Sequence, residues 1–158
     1  MSLTTGRVSS PPSHFIPYDL TLSRQIKPSA SWVVAQFEIR SRRMYCHCWR
    51  CRKHSGSSFG TTAGVNASEF SVVSGKELLS SWESSPGVHR FFASCCGSPI
   101  YKRDVAAPDV LGFRLGTLDS DPFRKADMHF MVGSKAPWVE IKDGLPQEPA
   151  GVPFGERD

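Results

Sequence analysis

The chain has 158 residues, which suits a single domain with one core. Hydrophobic residues make up 39% and charged residues 22%, a balance that is typical of globular proteins and excludes disordered or collagen-like chains. The formal net charge is +4, no apolar run approaches the roughly 20 residues that span a bilayer, and the first residues lack a secretory signal, so we expect a cytoplasmic protein.

The sequence predicts short strands separated by turn residues, after a first stretch without periodicity. Residues 1–30 are expected to form an extended N-terminal arm, residues 31–147 a β domain, and residues 148–158 a C-terminal tail. Strands are predicted over 32–39, 60–65, 70–73, 88–92, 99–102, 110–115, 128–132 and 138–141. Residues 52–58 and 76–82 are the candidates for short helices. The predicted fold is therefore mainly β.

Alternation within the predicted strands separates core positions from outward positions. Met128, Phe130 and Val132 alternate in this way, which puts His129 on the opposite face. His129 has two interpretations. It is a candidate general acid or base, because its ordinary pKa near 6.5 suits that work, or it is a histidine on the solvent face of a strand.

Three of the five cysteines are closely spaced at Cys46, Cys48 and Cys51. Thiolates are preferred ligands of Zn²⁺, and this spacing allows one turn to bring all three sulfurs to one ion. The spacing leaves the fourth position open: water or substrate would occupy it in a catalytic site, and Cys96 or a histidine would close a structural site. Redox-active or simply buried thiols are the remaining alternative.

Several motifs occur together in a characteristic order. They are Cys46-His47-Cys48-Trp49-Arg50-Cys51, Arg90-Phe91-Phe92, Cys96-Gly97-Ser98-Pro99, Gly133-Ser134-Lys135-Ala136-Pro137-Trp138 and Asp143-Gly144-Leu145-Pro146. With these motifs the chain resembles the glutathione-dependent formaldehyde-activating enzyme family, also called centromere protein V-like. The resemblance implies an Mss4-like β-tent of small antiparallel sheets, in agreement with the predicted strands.

The resemblance implies that Cys46, Cys48 and Cys51 hold a catalytic zinc. Family members also carry a structural zinc with four cysteine ligands, and here Ala30, Trp32 and Ala93 stand at three of those positions. Only Cys96 remains of that second site. We therefore expect one Zn²⁺ per chain, with Cys96 either a buried remnant of the lost site or a fourth ligand of the first one.

The resemblance also implies a small-molecule substrate and carbon–sulfur lyase chemistry on glutathione or a glutathione–aldehyde adduct. His47, Trp49, Arg90 and Lys135 are the candidates to contact that substrate, although each of the two basic residues could equally be a surface ion-pair partner. Trp138 is expected in the core.

Two other functions stay open at this stage. One is a zinc lyase or isomerase that acts on another small molecule. The second is a non-catalytic zinc module that binds nucleic acid or protein, suggested by the basic first third of the chain. The absence of a long basic tail and of a nucleic-acid motif argues against it. We expect no membrane association, and a homodimer would cover exposed sheet edges.

Overall fold

The structure, a computed structural model, describes residues 18–21, 33–37, 42–118 and 125–150. It contains ten strands and one α-helix in these ranges. The elements are β1 (Tyr18–Thr21), β2 (Val34–Phe37), β3 (Arg43–Cys46), α1 (Trp49–Ser55), β4 (Gly60–Asn66), β5 (Ser71–Ser74), β6 (Leu79–Ser85), β7 (Val88–Ala93), β8 (Pro99–Asp104), β9 (Val110–Arg114) and β10 (Met128–Phe130). The predicted mainly β fold class is confirmed.

The strands form two sheets. A seven-stranded sheet has the order β10-β3-β4-β9-β8-β7-β6, and a three-stranded sheet has the order β1-β2-β5. All pairs are antiparallel except β10 and β3, which run parallel. Strand β1 lies within the stretch predicted as an arm and pairs with β2. The proposed division into arm, domain and tail stays a prediction.

The hydrophobic core lies between the two sheets. Every second residue from Val33 to Phe37 is buried, which is the alternation expected of a strand with one face covered. The ring centroid of Phe37 lies 4.2 Å from that of Phe113 on β9. Leu111 and Val65 extend this core along β9 and β4, and both are almost completely buried. The apolar faces of β4 and β9 therefore fix how the larger sheet meets the smaller one.

Strand β9 is buried on both faces, since Leu111, Gly112, Phe113 and Arg114 are all buried. Gly112 and Arg114 face away from the core. The side chain of Lys102 lies over Gly112, where a Cβ atom would come within 2.8 Å of it. The larger sheet thus has an apolar core face and a second, covered face that carries polar side chains.

Some predicted elements differ from the structure. The helix begins at Trp49, three residues before the predicted start, because the Cys48 side chain accepts a hydrogen bond from the Cys51 amide and caps the first turn. Residues 76–82 form one turn of 3₁₀-helix and then continue as β6, which pairs with β7 along its whole length. The strand predicted over 138–141 is irregular.

Two predicted side-chain environments are wrong. Trp138, expected in the core, is 70% exposed. His129, interpreted in one alternative as solvent-facing, is only 3% exposed because residues 146–148 pair along the outer edge of β10.

None of the helices in the described ranges has the length and apolar character that crossing a bilayer requires.

Leu111→Ala should lower the free energy of unfolding by about 2–5 kcal/mol, because it leaves a cavity at a fully buried position between the sheets. Val110→Ala, at the neighbouring position that is 47% exposed, should change it by less than about 1 kcal/mol. Urea unfolding of both variants and the unmodified chain measures this. Equal destabilisation by the two substitutions would contradict the assigned core face.

Candidate metal centre

Three cysteine side chains meet where β3 ends and α1 begins. The sulfur atoms of Cys46, Cys48 and Cys51 all lie within 4.8 Å of one another. Cys46 ends β3, and the Cys48 sulfur accepts a hydrogen bond from the Cys51 amide at 3.3 Å in the first turn of α1. Cys46 and Cys51 are buried and Cys48 is half-buried. The cluster is therefore most accessible from the Cys48 side.

The chemistry of this donor set fits a metal ion. A tetrahedral zinc with Zn–S bonds of about 2.3 Å needs sulfur atoms about 3.8 Å apart, which is compatible with three sulfurs within 4.8 Å of one another. The spacing argument from the sequence and the folded geometry therefore select the same three residues. Within the described ranges, no other group of three histidine, cysteine or acidic side chains meets the same distance criterion.

Two arginines of the larger sheet face the sulfur of Cys51. Arg114 Nη2 lies 3.6 Å from Cys51 Sγ and Arg90 Nη1 lies 4.0 Å from it. Both arginines are buried, at 4% and 3% exposed. Among the described residues no carboxylate pairs with either of them, and both Nε atoms and Arg114 Nη1 have no hydrogen-bond partner. Within the described residues, the sulfur cluster is therefore the anionic group that pairs with these two buried arginines.

Sheet register explains why the two arginines and Cys46 share one face. Cys46 pairs with Gly60, Thr62 pairs with Arg114, and Arg90 pairs with Lys102. Paired residues point to the same side of a sheet and alternate residues share a face, so this face continues from β3 to β7. A Cβ atom on Gly60 would clash with the Arg114 guanidinium. Glycine at this position allows Arg114 to lie beside the cluster.

The thiols are not equivalent in the absence of a metal. Hydrogen bonds from the Cys46 and Cys48 thiols, together with the charges of Arg114 and Arg90, hold the pKa of Cys51 well below its usual range, although burial opposes this. The hydrogen bonds with Cys48 and Cys51, followed by burial, raise the pKa of Cys46. Cys51 is therefore the first of the three to become a thiolate.

His54 on α1 belongs to the same environment. Burial lowers the pKa of His54 to about 4, and the neighbouring charges of Arg114 and Arg90 contribute to the shift. Its ring centroid lies 6.5 Å from that of Trp82 on β6. His54 is therefore neutral at physiological pH. Sequence reasoning did not identify His54, Gly60 or Arg114. Gly60 and Arg114 come close to the cysteines through strand pairing, whereas His54 follows Cys51 on the same helix, so its spacing could have revealed it.

A chain of three polar side chains lies on the opposite face of β3. His47 Nε2 is 2.8 Å from His129 Nδ1, and His129 Nε2 is 2.9 Å from an Asp143 carboxylate oxygen. His47 is completely buried. Burial lowers the pKa of His47 to about 4, and the hydrogen bond from His129 lowers the pKa of Asp143. An open cavity of about 410 Å³ is lined by these three residues together with Tyr45 and Phe59.

Comparison with known proteins places the chain in a family. The model of a protein family described as "Glutathione-dependent formaldehyde-activating enzyme" matches residues 32–134, which are more than half of the chain. The chain belongs to this family. A crystal structure of a Rhodobacter sphaeroides protein is similar with a TM-score of 0.49 and 21% identity, covering 57% of this chain and 84% of that one. No curated protein matches the chain.

The glutathione-dependent formaldehyde-activating enzyme family was predicted from the sequence, and this prediction is confirmed. The site residues that the resemblance suggested lie in different places in the structure. Arg90 lies beside the cysteine cluster, and half-buried Trp49 follows Cys48 with the Arg50 guanidinium 4.8 Å from its ring. His47 lies next to both ligand positions in the chain, but its ring contacts His129 on the other face.

Two suggested residues lie elsewhere. Cys96 is exposed and stands outside the group of three sulfurs, so it is neither a buried remnant nor placed as a fourth ligand. Lys135 Nζ donates hydrogen bonds to the backbone carbonyls of Ala136 and Val139, which ties it to its own loop. Ala93 is buried in the core, while Ala30 and Trp32 lie outside the described residues.

Arg114→Met should move the ionisation of Cys51 to higher pH in the metal-free protein, because the substitution removes a positive charge that stabilises the thiolate. Cysteine ¹³Cβ chemical shifts, followed as a function of pH, report the ionisation directly. The matched control is Arg103→Met, an exposed arginine on β8. Identical titration curves for the two variants would contradict the electrostatic role of Arg114.

Proposed function

We propose that this protein is a zinc-dependent enzyme that forms or breaks a carbon–sulfur bond in glutathione or a glutathione–aldehyde adduct. The observation that carries the proposal is the cluster of Cys46, Cys48 and Cys51 beside two buried arginines, in a chain of the glutathione-dependent formaldehyde-activating enzyme family. Other members act on glutathione, as the family description states, and this chain retains a donor set that suits a metal-assisted reaction.

Cys46, Cys48 and Cys51 would hold the zinc. When bound there, zinc would supply Lewis-acid stabilisation of an anion at a fourth coordination position. The described residues contribute three ligands and Cys96 stands apart, which supports an open position for a substrate atom. The half-buried side of the cluster, at Cys48 and Trp49, is the proposed entrance.

The charges around the cluster favour an anionic ligand from the substrate. Three thiolates and one Zn²⁺ carry a formal charge of −1, and Arg90 and Arg114 change this to +1. A fourth ligand with one negative charge, such as a substrate thiolate, brings the buried group to neutrality. Glutathione supplies such a thiolate. The arginines therefore oppose the weakening that three thiolate ligands cause in a Lewis acid.

The proposed reaction is balanced without an external oxidant or reductant. The thiol sulfur attacks the aldehyde carbon, a carbon–sulfur bond forms, and the carbonyl oxygen takes the proton that the thiol loses. The reverse reaction releases the aldehyde and the thiol. Burial and the charges of Arg114 and Arg90 lower the pKa of His54 to about 4, so His54 stays neutral and adds no charge to the group around the cluster.

The basic first third of the chain supports this proposal better than a nucleic-acid role. Arg43 is buried in an ion pair with Asp127 at 3.1 Å, and Arg52 is buried with its Nε donating to the His47 carbonyl. These two arginines of the basic first third of the chain are therefore not presented to a phosphate backbone.

Purified protein should contain one zinc per chain, and Cys48→Ser should lose it because one of three protein ligands disappears. Elemental mass spectrometry measures the ratio of metal to protein. Cys96→Ser is the matched control, and it should keep the metal because Cys96 is exposed and outside the cluster. Loss of zinc in the Cys96 variant, or two zincs per chain, would contradict the single three-cysteine site.

The zinc-loaded protein should accelerate formation of S-hydroxymethylglutathione from glutathione and formaldehyde above the spontaneous rate. NMR exchange spectroscopy with ¹³C-formaldehyde measures the rate of adduct formation with and without the protein. Cys48→Ser should return this rate to the spontaneous value. A protein that binds zinc but leaves this rate unchanged would exclude this substrate pair. That result would direct the search to lyase or isomerase chemistry on another small molecule.

A further inference from the structure

The chain Asp143–His129–His47 ends on the residue between two proposed metal ligands. His129 is 3% exposed, and both of its ring nitrogens are occupied, Nδ1 by His47 and Nε2 by Asp143. A histidine with both nitrogens engaged has no free atom for a substrate. His129, suggested by the sequence as a general acid or base, is therefore placed to act through His47.

The direction of the hydrogen bonds follows from the acceptor at one end. An ionised Asp143 carboxylate only accepts, so His129 Nε2–H donates to it. A neutral His129 then has an accepting Nδ1, which takes the Nε2–H of His47. This leaves a lone pair on His47 Nδ1, a buried atom without a hydrogen-bond partner among the residues that the structure describes. The opposite direction would bury an unpaired N–H there, which is the costlier arrangement.

His47 is held at three points. Its amide donates to the Phe130 carbonyl at 2.8 Å, its carbonyl accepts from Arg52 Nε at 3.2 Å, and its ring is bonded to His129. The backbone hydrogen bonds fix the position of His47 between the end of β3 and the start of α1. The ring bond adds a side-chain anchor, so the residue between Cys46 and Cys48 is held through both its backbone and its side chain.

We propose that Asp143, acting through His129 and His47, is a positioning residue that holds Cys46 and Cys48 in the arrangement a metal requires. The inference rests on the proposed metal site for its effect on zinc, whereas the hydrogen-bond chain itself does not. Groups that hydrogen-bond directly to metal ligands typically contribute about 10–100-fold to metal affinity, and Asp143 acts further from the ligands, so we expect a smaller effect.

A purely structural role for Asp143 has to be separated from this one. Asp143 Oδ1 also accepts from the Leu145 amide at 3.1 Å, next to Gly144 in the left-handed region, so the carboxylate stabilises its own turn. Asp143→Asn keeps an acceptor for both hydrogen bonds, and Asp143→Ala removes both. Glu140→Ala is the matched control: it removes an exposed carboxylate that lines the same cavity and pairs with Lys142.

The first measurement is the tautomer of each histidine in the metal-free, unmodified protein, by long-range ¹H–¹⁵N NMR. We expect His47 and His129 both to carry the proton on Nε2. We expect Asp143→Ala to abolish the single tautomer of His129, and Asp143→Asn and Glu140→Ala to preserve it. A proton on Nδ1 of His47, or unchanged tautomers in the alanine variant, would overturn the proposal.

The second measurement is zinc affinity, by competition with a chromogenic chelator. Asp143→Ala should weaken zinc binding by up to about 10-fold, with Asp143→Asn restoring most of it and Glu140→Ala leaving it unchanged. Native affinity in a folded alanine variant would overturn the positioning role. If the unmodified protein binds no zinc, the proposed function fails, while the tautomers still decide whether the chain of hydrogen bonds exists.

Discussion

The contact of two buried guanidinium groups with the Cys51 sulfur is the interaction on which the candidate site depends. A buried charge is costly unless it has a partner of opposite sign, and Arg90 and Arg114 have no carboxylate partner among the described residues. The thiolate of Cys51 supplies that partner. The same interaction that permits two arginines in the interior therefore keeps a sulfur ionised and ready for a metal.

The alternation of β3 and the residues that follow it separates two polar networks. Cys46 points to the face with the arginines, whereas Tyr45 and His47 point to the face with His129, whose ring lies 5.2 Å from that of Tyr45. A one-residue change of register would exchange these faces and destroy both networks. The parallel pairing of β10 with β3 fixes the register, because it places His129 beside Tyr45. The fold thus places the proposed ligand Cys46 on one face of β3 and the two histidines on the other face.

The local part of this architecture could be predicted from the sequence, and the long-range part could not. Alternation identified most strands, and the spacing of Cys46, Cys48 and Cys51 identified the cysteine cluster, because both signals lie within a few residues. The pairing of His47 with His129 joins positions 82 residues apart. Nothing in the local sequence around His129 shows that β10 pairs in parallel with β3 or that residues 146–148 cover its other edge.

Arg114 is a second residue whose surroundings could not be predicted from the local sequence. It follows Phe113 in a strand whose alternate residues form the core, so the pattern assigns it to the outward face. That assignment is right, but the outward face is covered, and only the pairing of Thr62 with Arg114 brings it to the cysteines. A period of two distinguishes the faces of a strand without showing whether both are buried.

The turn between β7 and β8 is held by packing and by backbone hydrogen bonds. At this turn, where the family resemblance puts two ligands of a second zinc, Ala93 is packed in the core and Cys96 is exposed. Backbone hydrogen bonds close this turn, from the Gly97 amide to the Ala93 carbonyl at 2.7 Å and from the Ala93 amide to the Ser98 carbonyl at 2.9 Å. Packing and backbone bonding hold the described core together there, whereas the three cysteines lie at the junction of β3 and α1. The proposed metal would therefore bind at that junction and not in the core between the two sheets.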